Sequence, residues 1–536
     1  MGLFKKSFII FTFLYVLFFV KTWGSVTGLL YTHDDVVYYA QTASLVNNFE
    51  TGIENHLGRY KLYLEMNPQT GKMMSYQPFG PTLLYIVPYL LTKPFVYLIS
   101  SLRGAAFDEY DPLFFVVLCF YVFIMFYYAG VFLRKTLLLF FDQSISDITV
   151  VFTLWGTILP VYVFRRPIFG VIPEFFFSVL LLYLVLRYFK DNKLTICGSA
   201  VLGLIAGFLF VTRWNDIYLF ILYLPLLAYI EHRSKKGGRW IKAFVIKGAV
   251  FLSVALLFFI LTQGIIWIST YGSIANFVSI HSKVLGAYIG SSKQAHGIDG
   301  LLVNMRNFIH ILFGVDWGVI FTMPILVLGG IGMVLAAKLK ISHRRFIHII
   351  LVLLTFLAPI YIVLKWKTAG EFYGYRFLVT LLPFAALGFS ELCEKLPRKY
   401  KKIIIYTVFA FCIFNFFVIL PFELTEKTSL QENTLTPMGG TGWNNNAYFI
   451  NAVKFYFESD FKLLISNFLR GYLAAIIFGF MSFFNFDLTK FSPKVSAYFS
   501  LIEYKNYLSF VYLLLIMLWV FYLNISSKLS KKIHGR

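Results

Sequence analysis

The chain has 536 residues, of which 59% are hydrophobic and 14% are charged, and its formal net charge is +22. Soluble domains carry about a quarter charged residues, so this composition excludes an ordinary soluble protein. The positive charge does not indicate a nucleic-acid-binding protein, because the basic residues fill short gaps between apolar runs and form no stripe on a soluble segment.

Long apolar runs recur along the chain, at 7–23, 113–133, 196–212, 243–268 and 402–421. An apolar run of about 18 or more residues can cross the hydrocarbon core of a membrane as a helix. No period-two pattern of short strands is present, which argues against a barrel. We therefore expect an all-α polytopic membrane protein with about 11–13 transmembrane helices.

Clusters of basic residues predict the orientation, since such clusters mark cytoplasmic loops. They are Lys5-Lys6, Arg134-Lys135, Arg187 to Lys193, Arg233 to Lys242, Lys338 to Arg345 and Arg398 to Lys402. We expect a multi-pass plasma (inner) membrane protein with a cytoplasmic N-terminus and a retained first helix. The outer side then receives 31–112, 165–173, 213–216, 269–314, 365–375 and 422–460.

The first outer loop, 31–112, is far longer than a typical connection, and such loops are usually functional. Within it, the moderately apolar segment 82–100 is interrupted by Pro88 and Pro94. We expect this segment to be a juxtamembrane helix at the interface. We divide the chain into a catalytic membrane module, 1–390, and a variable C-terminal membrane region, 391–536, in which the number of crossings stays open.

The first outer loop opens with THDDVVYYAQTASLVNNF, residues 32–49. Asp34 and Asp35 stand where a membrane helix ends and an amphipathic helix begins, and one aspartate is enough to cap that helix. Two carboxylates are more than a cap requires, and acids beside the apolar layer carry a desolvation cost. We predict that Asp34 or Asp35 is a general base or binds a cation, with helix capping as the alternative.

The short outer turn RRPIFGVIPEFFF, residues 165–177, holds a further acid. Glu174 precedes an apolar run, where a carboxylate is costly unless it has a role; the alternative is a first-turn acid favoured by the helix dipole. Arg165 and Arg166 lie on the outer side, against the positive-inside trend. Their position predicts an anionic partner such as a phosphate or a carboxylate.

A third polar group lies in EFYGYRFLVTLLPF, residues 371–384. Tyr375 and Arg376 enter a span from the outer face among aromatic residues, and Arg213 has a similar position. A guanidinium pairs with two phosphate oxygens at once, so we predict a phosphate clamp. The alternative is that these arginines extend to the interface to keep their charge in water.

The order of these features resembles the GT-C superfamily, the membrane-embedded glycosyltransferases that use polyprenyl-phosphate sugars, and within it the protein mannosyltransferase and aminoarabinose transferase group. The resemblance rests on the double acid followed by Tyr, on YQPFGPTLLYIVPYLL at 76–91, on an acid in the second outer loop and on the arginine in GYRFLVTLLPF. It covers 1–390. The chain departs from the pattern at Gln77-Pro78, where many relatives have Lys-Pro-Pro, and at Asp-Asp, where many have Asp-Glu.

The resemblance implies inverting transfer of a hexosyl or pentosyl group from a polyprenyl-phosphate donor to an acceptor hydroxyl on the outer face. Asp34 or Asp35 would be the base, and Glu174 would position the acceptor or assist a divalent cation. The arginines that would hold the phosphate are Arg376, Arg165, Arg166 and Arg213. The implied partners are the lipid-linked sugar, a glycan, lipid or protein acceptor, and membrane lipids. The resemblance implies no definite cofactor, and a divalent cation stays open because some relatives need metal and others do not.

Two alternatives belong to other classes. A polysaccharide polymerase or ligase of the cell envelope would base its outer chemistry on arginines and histidines of late loops, here Arg306 and His296. A transporter or flippase would carry polar residues through its spans and inverted repeats, whereas the middle of each predicted span is almost free of charge.

Overall fold

The computed structural model describes residues 2–19, 33–57, 66–75, 77–102, 104–164, 166–234, 239–280, 308–309, 311–314, 318–337, 376–432 and 512–523. Its first helices are α1 (Leu3–Phe19), α2 (His33–Asn48), α3 (Glu54–Leu57), α4 (Gly80–Leu102), α5 (Pro112–Leu137), α6 (Gln143–Trp155), α7 (Leu159–Phe164), α8 (Val171–Asp191) and α9 (Ile196–Thr212). A 3-10 turn at Trp214–Asp216 leads to α10 (Ile217–Ser234) and α11 (Arg239–Phe259).

A π-helical turn, Ile260–Gly264, joins α11 to α12 (Ile265–Tyr271). The later helices are α13 (Val319–Thr322), α14 (Pro324–Ala337), α15 (Leu382–Lys395), α16 (Arg398–Glu432) and α17 (Tyr512–Leu523). A 3-10 helix, Arg376–Leu381, precedes α15.

The described part of the chain is 84% helical and contains no strand. Six of its helical segments are long and apolar enough to cross a membrane: Gly80–Leu102, Leu113–Leu137, Val171–Asp191, Arg239–Tyr271, Arg376–Lys395 and Lys402–Ile419. The prediction of an all-α polytopic membrane protein is confirmed. The number of crossings stays a prediction, because 338–375 and 433–511 lie outside the described residues.

Helix α4 runs without a break through Pro88 and Pro94, where the sequence had predicted an interrupted segment. A proline removes one backbone hydrogen bond but leaves the helix intact when packing on one face compensates. Here Tyr89 stacks on Phe114 at the start of α5, with ring centroids 4.1 Å apart. Tyr97 likewise stacks on Phe107 at 4.1 Å. These contacts hold α4 against the residues that precede and begin α5; its place at the interface stays a prediction, since α4 is also long and apolar enough to cross a membrane.

A polar network fastens the layer outside α5. Asn47 Nδ2 donates to Glu109 Oε2 at 3.1 Å, and Tyr39 donates to the Glu109 carbonyl at 2.5 Å. His56 Nδ1 lies 2.5 Å from the Tyr110 hydroxyl and 3.3 Å from Glu109 Oε1. These contacts join α2, α3 and the loop before α5 into one unit.

Partly buried ion pairs hold the opposite end of the bundle. Arg134 Nε lies 2.5 Å from Asp147 Oδ1, and the Phe4 amide donates to the same carboxylate at 3.5 Å. Lys247 Nζ lies 2.6 Å from Glu231 Oε1. The N-terminal helix and several of the basic gaps thus share one end, which is the end that the sequence assigns to the cytoplasm.

Glycines allow α14 and α15 to touch backbone to backbone. A Cβ on Gly332 would collide with the Gly388 carbonyl oxygen, and a Cβ on Gly329 would collide with the Ala385 backbone. Membrane helices gain stability from such close approach, because small residues let backbones pack without side chains between them. This contact fixes the position of α15 and of the 3-10 helix that precedes it.

We expect Gly332→Ala to lower the free energy of unfolding by about 1–3 kcal/mol, the usual effect of overpacking. Gly330→Ala is the matched control, since a Cβ at Gly330 meets no atom within 4 Å. Thermal unfolding of both variants in detergent measures the difference. Equal unfolding midpoints for the two variants would contradict the close packing of α14 on α15.

The buried His56 side chain should make the free energy of unfolding depend on pH. Burial lowers the pKa of His56 below its ordinary value, and the carboxylate of Glu109 opposes that effect. The unfolded chain then binds more protons than the folded protein below about pH 6.5, so the free energy of unfolding decreases as the pH falls from about 7.5 to 5.5. We expect His56→Gln to weaken this decrease. The exposed His232 is the control: His232→Gln should keep the wild-type pH dependence of the thermal midpoint.

Candidate functional site

The two aspartates at the start of α2 face different surroundings. The side chain of Asp34 is 24% exposed, whereas Asp35 is fully buried. Gln77 Nε2 donates to Asp34 Oδ1 at 3.0 Å, and Asp34 Oδ2 lies 3.5 Å from a terminal nitrogen of Arg376. Asp34 is thus the carboxylate of this pair that a molecule from outside can reach.

Arg376 begins the 3-10 helix before α15, with its side chain 14% exposed. Its guanidinium lies over two rings, 4.5 Å from the centroid of Phe169 and 5.3 Å from that of Phe377. Stacking on aromatic faces orients a guanidinium, so that the edge that carries its N–H donors can point at an anion. The arrangement suits a cation that holds a phosphate.

A second arginine shares the same ring. The Arg213 guanidinium lies 5.0 Å from the centroid of Phe377, and Arg213 Nε lies 2.6 Å from Glu174 Oε2. Glu174 is fully buried at the start of α8. If either side chain were removed, the other would be left buried without its partner, so the two side chains depend on each other. Phe377 connects this pair to Arg376.

Asp216 adds a further carboxylate that sequence reasoning missed. It is buried in the 3-10 turn after Arg213, and Thr380 Oγ1 donates to its Oδ1 at 3.3 Å. Burial, and then the neighbouring Glu174 carboxylate, raise the pKa of Asp216 well above its usual value. The motif TRWND carries it three residues from Arg213, but its neighbour Glu174 is far away in sequence.

Arg166 is buried in the turn between α7 and α8, with 4% of its surface exposed. Phe164 at the end of α7 lies 6.2 Å, centroid to centroid, from Phe123. Phe123 is about three turns into α5, so this turn lies recessed below the outer layer. Arg165 and Tyr375, which the sequence analysis also selected, lie outside the described residues.

Tyr38 is a second group that sequence reasoning missed. It lies one helical turn after Asp34 and is buried. Burial, followed by the charge of Asp34, raises the pKa of the Tyr38 phenol above its usual range, so the hydroxyl stays neutral. The i, i+4 spacing from Asp34 could have indicated a shared helix face.

The segment 66–75 is fastened to α12 and brings Gln77 to Asp34. Lys72 Nζ donates to Ser269 Oγ at 2.6 Å, and the Tyr271 hydroxyl donates to the Ser75 carbonyl at 3.0 Å. Beyond Gln77, the Phe79 amide donates to Gln263 Oε1 at 2.7 Å, inside the π-helical turn. Such turns recur at functional sites because they re-aim side chains within a helix.

The acids around this site do not form a metal-binding set as they stand. In the described residues there is no group of three or more His, Cys, Asp or Glu side chains that could hold a metal ion. Asp34 and Glu174 each face an arginine, which a divalent cation would have to displace.

No family model matches the chain, and no curated protein matches it. Three similar solved structures are all of the Archaeoglobus fulgidus oligosaccharyltransferase. The complex with Zn and sulfate has a TM-score of 0.40 at 14% identity and covers 82% of this chain and 61% of that one. The complex of AglB with an inhibitory peptide and a dolichol-phosphate has a TM-score of 0.37 at 12% identity, covering 91% and 59%.

The structure tethered with an acceptor peptide containing the NVT sequon has a TM-score of 0.38 at 13% identity, covering 78% and 57%. This chain thus spans about three fifths of the length of these proteins. The oligosaccharyltransferase is a GT-C membrane glycosyltransferase, the superfamily that the sequence resembles. With TM-scores below 0.5, the similarity carries no argument about the site or the activity.

Breaking the Glu174–Arg213 pair should destabilise the protein. We expect Glu174→Gln or Arg213→Gln to lower the free energy of unfolding by about 3 kcal/mol each, because each leaves a buried group without its partner. The double variant should lose less than the sum. Thermal unfolding in detergent measures the cycle.

The exposed pair Arg187–Asp191, 3.9 Å apart, supplies the control. Arg187→Gln should change the free energy of unfolding by less than about 1 kcal/mol. Additive losses in the Glu174 and Arg213 cycle would show that the two side chains do not stabilise each other.

Proposed function

We propose that this chain is a glycosyltransferase that moves a sugar from a polyprenyl-phosphate donor to an acceptor hydroxyl, with Asp34 as the general base. The observation that carries the proposal is a reachable carboxylate 3.5 Å from a guanidinium that two aromatic rings orient. A base and a phosphate-binding cation side by side are the two groups that displacement of a sugar phosphate needs.

The membrane setting supports the choice of a lipid-linked donor. Arg376 begins an apolar segment that is long enough to cross a membrane, so a donor with an isoprenoid tail could keep that tail in lipid while its phosphate reaches Arg376. The acceptor is proposed to be a glycan, lipid or protein hydroxyl. The proposed location is the inner membrane, with the site on the non-cytoplasmic side, opposite the basic loops.

The reaction would proceed by inversion at the sugar carbon. Asp34 removes the proton of the acceptor hydroxyl while the acceptor oxygen bonds to that carbon and the carbon–phosphate oxygen bond breaks. The polyprenyl phosphate leaves with an added negative charge, which Arg376 stabilises. At 3.5 Å, the Asp34–Arg376 contact is longer than the 2.7–2.9 Å typical of charge-assisted hydrogen bonds, so a phosphate can compete for the guanidinium.

The remaining charges are proposed to act from a distance. The Glu174–Arg213 pair, through the ring that Arg213 shares with Arg376, would keep the clamp in position. Glu174 stays the candidate for positioning the acceptor, and Arg166 stays a candidate for the phosphate. Arg306 and His296, on which the polymerase or ligase alternative depends, lie outside the described residues.

We expect Asp34→Asn to lower transfer at least ~10²-fold, the usual contribution of a general base, and to leave binding of undecaprenyl phosphate intact. Arg376→Met should instead weaken that binding on the order of tenfold, because it removes a charge-assisted contact. Mass spectrometry of glycans from cells that carry each variant as their only copy measures transfer, and native mass spectrometry measures binding.

Glu394→Gln is the control, since Glu394 is an exposed acid near the far end of α15 and should keep both properties. The assignment of Asp34 as the base fails if Asp34→Asn transfers at the wild-type rate at normal expression. If Asp35→Asn and the double variant also keep that rate, neither aspartate is the base.

A further inference from the structure

Four side chains form a continuous line of hydrogen bonds that ends on Asp34. Thr82 Oγ1 donates to Gln41 Oε1 at 2.9 Å, and Gln41 Nε2 donates to Ser75 Oγ at 3.4 Å. Ser75 Oγ then donates to Gln77 Oε1 at 2.9 Å, and Gln77 Nε2 donates to Asp34 Oδ1 at 3.0 Å. Every link runs in one direction, from the hydroxyl of α4 to the carboxylate of α2.

The carboxylate sets that direction. An ionised carboxylate only accepts hydrogen bonds, so the amide nitrogen of Gln77 must face it and the amide oxygen must face Ser75. The hydroxyl of Ser75 is then the donor in that contact and accepts from the amide nitrogen of Gln41. The oxygen of Gln41 is left facing the hydroxyl of Thr82. The orientation of both amides thus follows from the charge on Asp34.

A proton on Oδ1 would conflict with this line. The new O–H would point at the Gln77 amide nitrogen, which is also a donor, and relief would require both amides to turn over and both hydroxyls to reverse. Thr82 and Gln41 are buried, so a link lost on the way would leave a polar atom without water to replace it.

Resting on the function proposed above, we propose that Thr82, Gln41, Ser75 and Gln77 are positioning residues that hold Oδ1 of Asp34 and thereby assign Oδ2 as the oxygen that takes the acceptor's proton. With the proton on Oδ2, Oδ1 becomes the carbonyl oxygen of the acid and still accepts from Gln77. The line of hydrogen bonds is unchanged by the reaction.

Oδ2 is also the oxygen that faces Arg376. When the donor phosphate draws the guanidinium toward itself, Oδ2 loses its cation and becomes the more basic oxygen. In the transfer step the acceptor O–H bond breaks and its proton passes to Oδ2. The acceptor oxygen bonds to the sugar carbon, and the electron pair of the broken carbon–oxygen bond leaves on the phosphate. The same arginine therefore couples phosphate binding to activation of the base.

Infrared spectroscopy of the full-length protein tests the positioning role without a donor or an acceptor. The carbonyl band of protonated Asp34 is identified by its absence in Asp34→Asn and is followed as the pH is lowered. In Ser75→Ala the Gln77 amide is no longer held, so the pH at which the band is half formed should rise by on the order of one pH unit. Thr82→Val should raise it less, and Thr82→Ser, which keeps the hydroxyl, should not change it.

Gln77→Leu tests which oxygen carries the proton. If the proton is on Oδ2, the carbonyl Oδ1 loses its hydrogen bond in this variant and the band moves to higher frequency. An unchanged frequency would place the proton on Oδ1 and overturn the assignment. An unchanged half-formation pH in Ser75→Ala, with transfer reduced equally at every pH, would show that these residues are merely structural.

The outcome is separable from the proposed function. Suppose that the half-formation pH and the frequency of the carbonyl band change as expected, but that no variant alters the pH dependence of transfer. The line of hydrogen bonds then exists and Asp34 is not the base. If Asp34 is the base, the acid side of the pH–rate profile should move in Ser75→Ala by the same number of pH units as the half-formation pH of the carbonyl band. In Thr82→Ser the acid side of the profile should stay in place.

Discussion

Charges that are buried among membrane helices must be paired, and this constraint arranges the candidate site. The Phe377 ring contacts two guanidiniums, and each guanidinium faces a carboxylate from another part of the chain: Glu174 for Arg213 and Asp34 for Arg376. The two pairs differ in one respect that matters for chemistry. The Glu174–Arg213 contact is short and buried, whereas the Asp34–Arg376 contact is loose and partly exposed. The first suits a fixed support and the second suits exchange with a substrate.

The same constraint explains how much of the site the sequence could predict. Asp34, Glu174, Arg213 and Arg376 all follow from counting spans, because helix ends that lie on one side of a membrane are close together in a bundle. Periodicity and charge are enough to place such residues. The all-α fold follows from the apolar runs in the same way.

The rest of the candidate site depends on contacts between residues that are far apart in sequence, and residue spacing does not predict such contacts. Gln77 reaches Asp34 across 43 positions of sequence, and Asp216 takes part in the site through a threonine 164 positions away. Their side-chain directions are set by the docking of 66–75 on α12 and by the 3-10 helix before α15. The continuous course of α4 was missed for a related reason: local sequence predicts a break at proline, and tertiary packing of Tyr89 and Tyr97 outweighs it.

The two aspartates at the start of α2 differ in role because they face different surroundings. Adjacent residues on a helix point about 100° apart, so one of two consecutive aspartates can face the cleft while the other faces the core. Asp34 is the former and Asp35 the latter. An acid as deeply placed as Asp35 contributes to the field of the site, and Tyr38 is among the groups whose ionisation responds to both carboxylates.

The π-helical turn at Ile260–Gly264 sets the angular phase of the long helix that contains it. One extra residue per turn rotates everything after it by roughly 100° relative to a regular α-helix. Before the turn, Leu252 and Leu256 are exposed as a lipid-facing surface; after it, Ser269 and Tyr271 face the segment that carries Gln77. The turn thus changes the direction of the later side chains, so that they face the site, whereas the exposed leucines before it suit contact with lipid. A gain or loss of one residue in this turn would rotate Ser269 and Tyr271 away from the segment that carries Gln77, and it would move Gln263 away from the Phe79 amide.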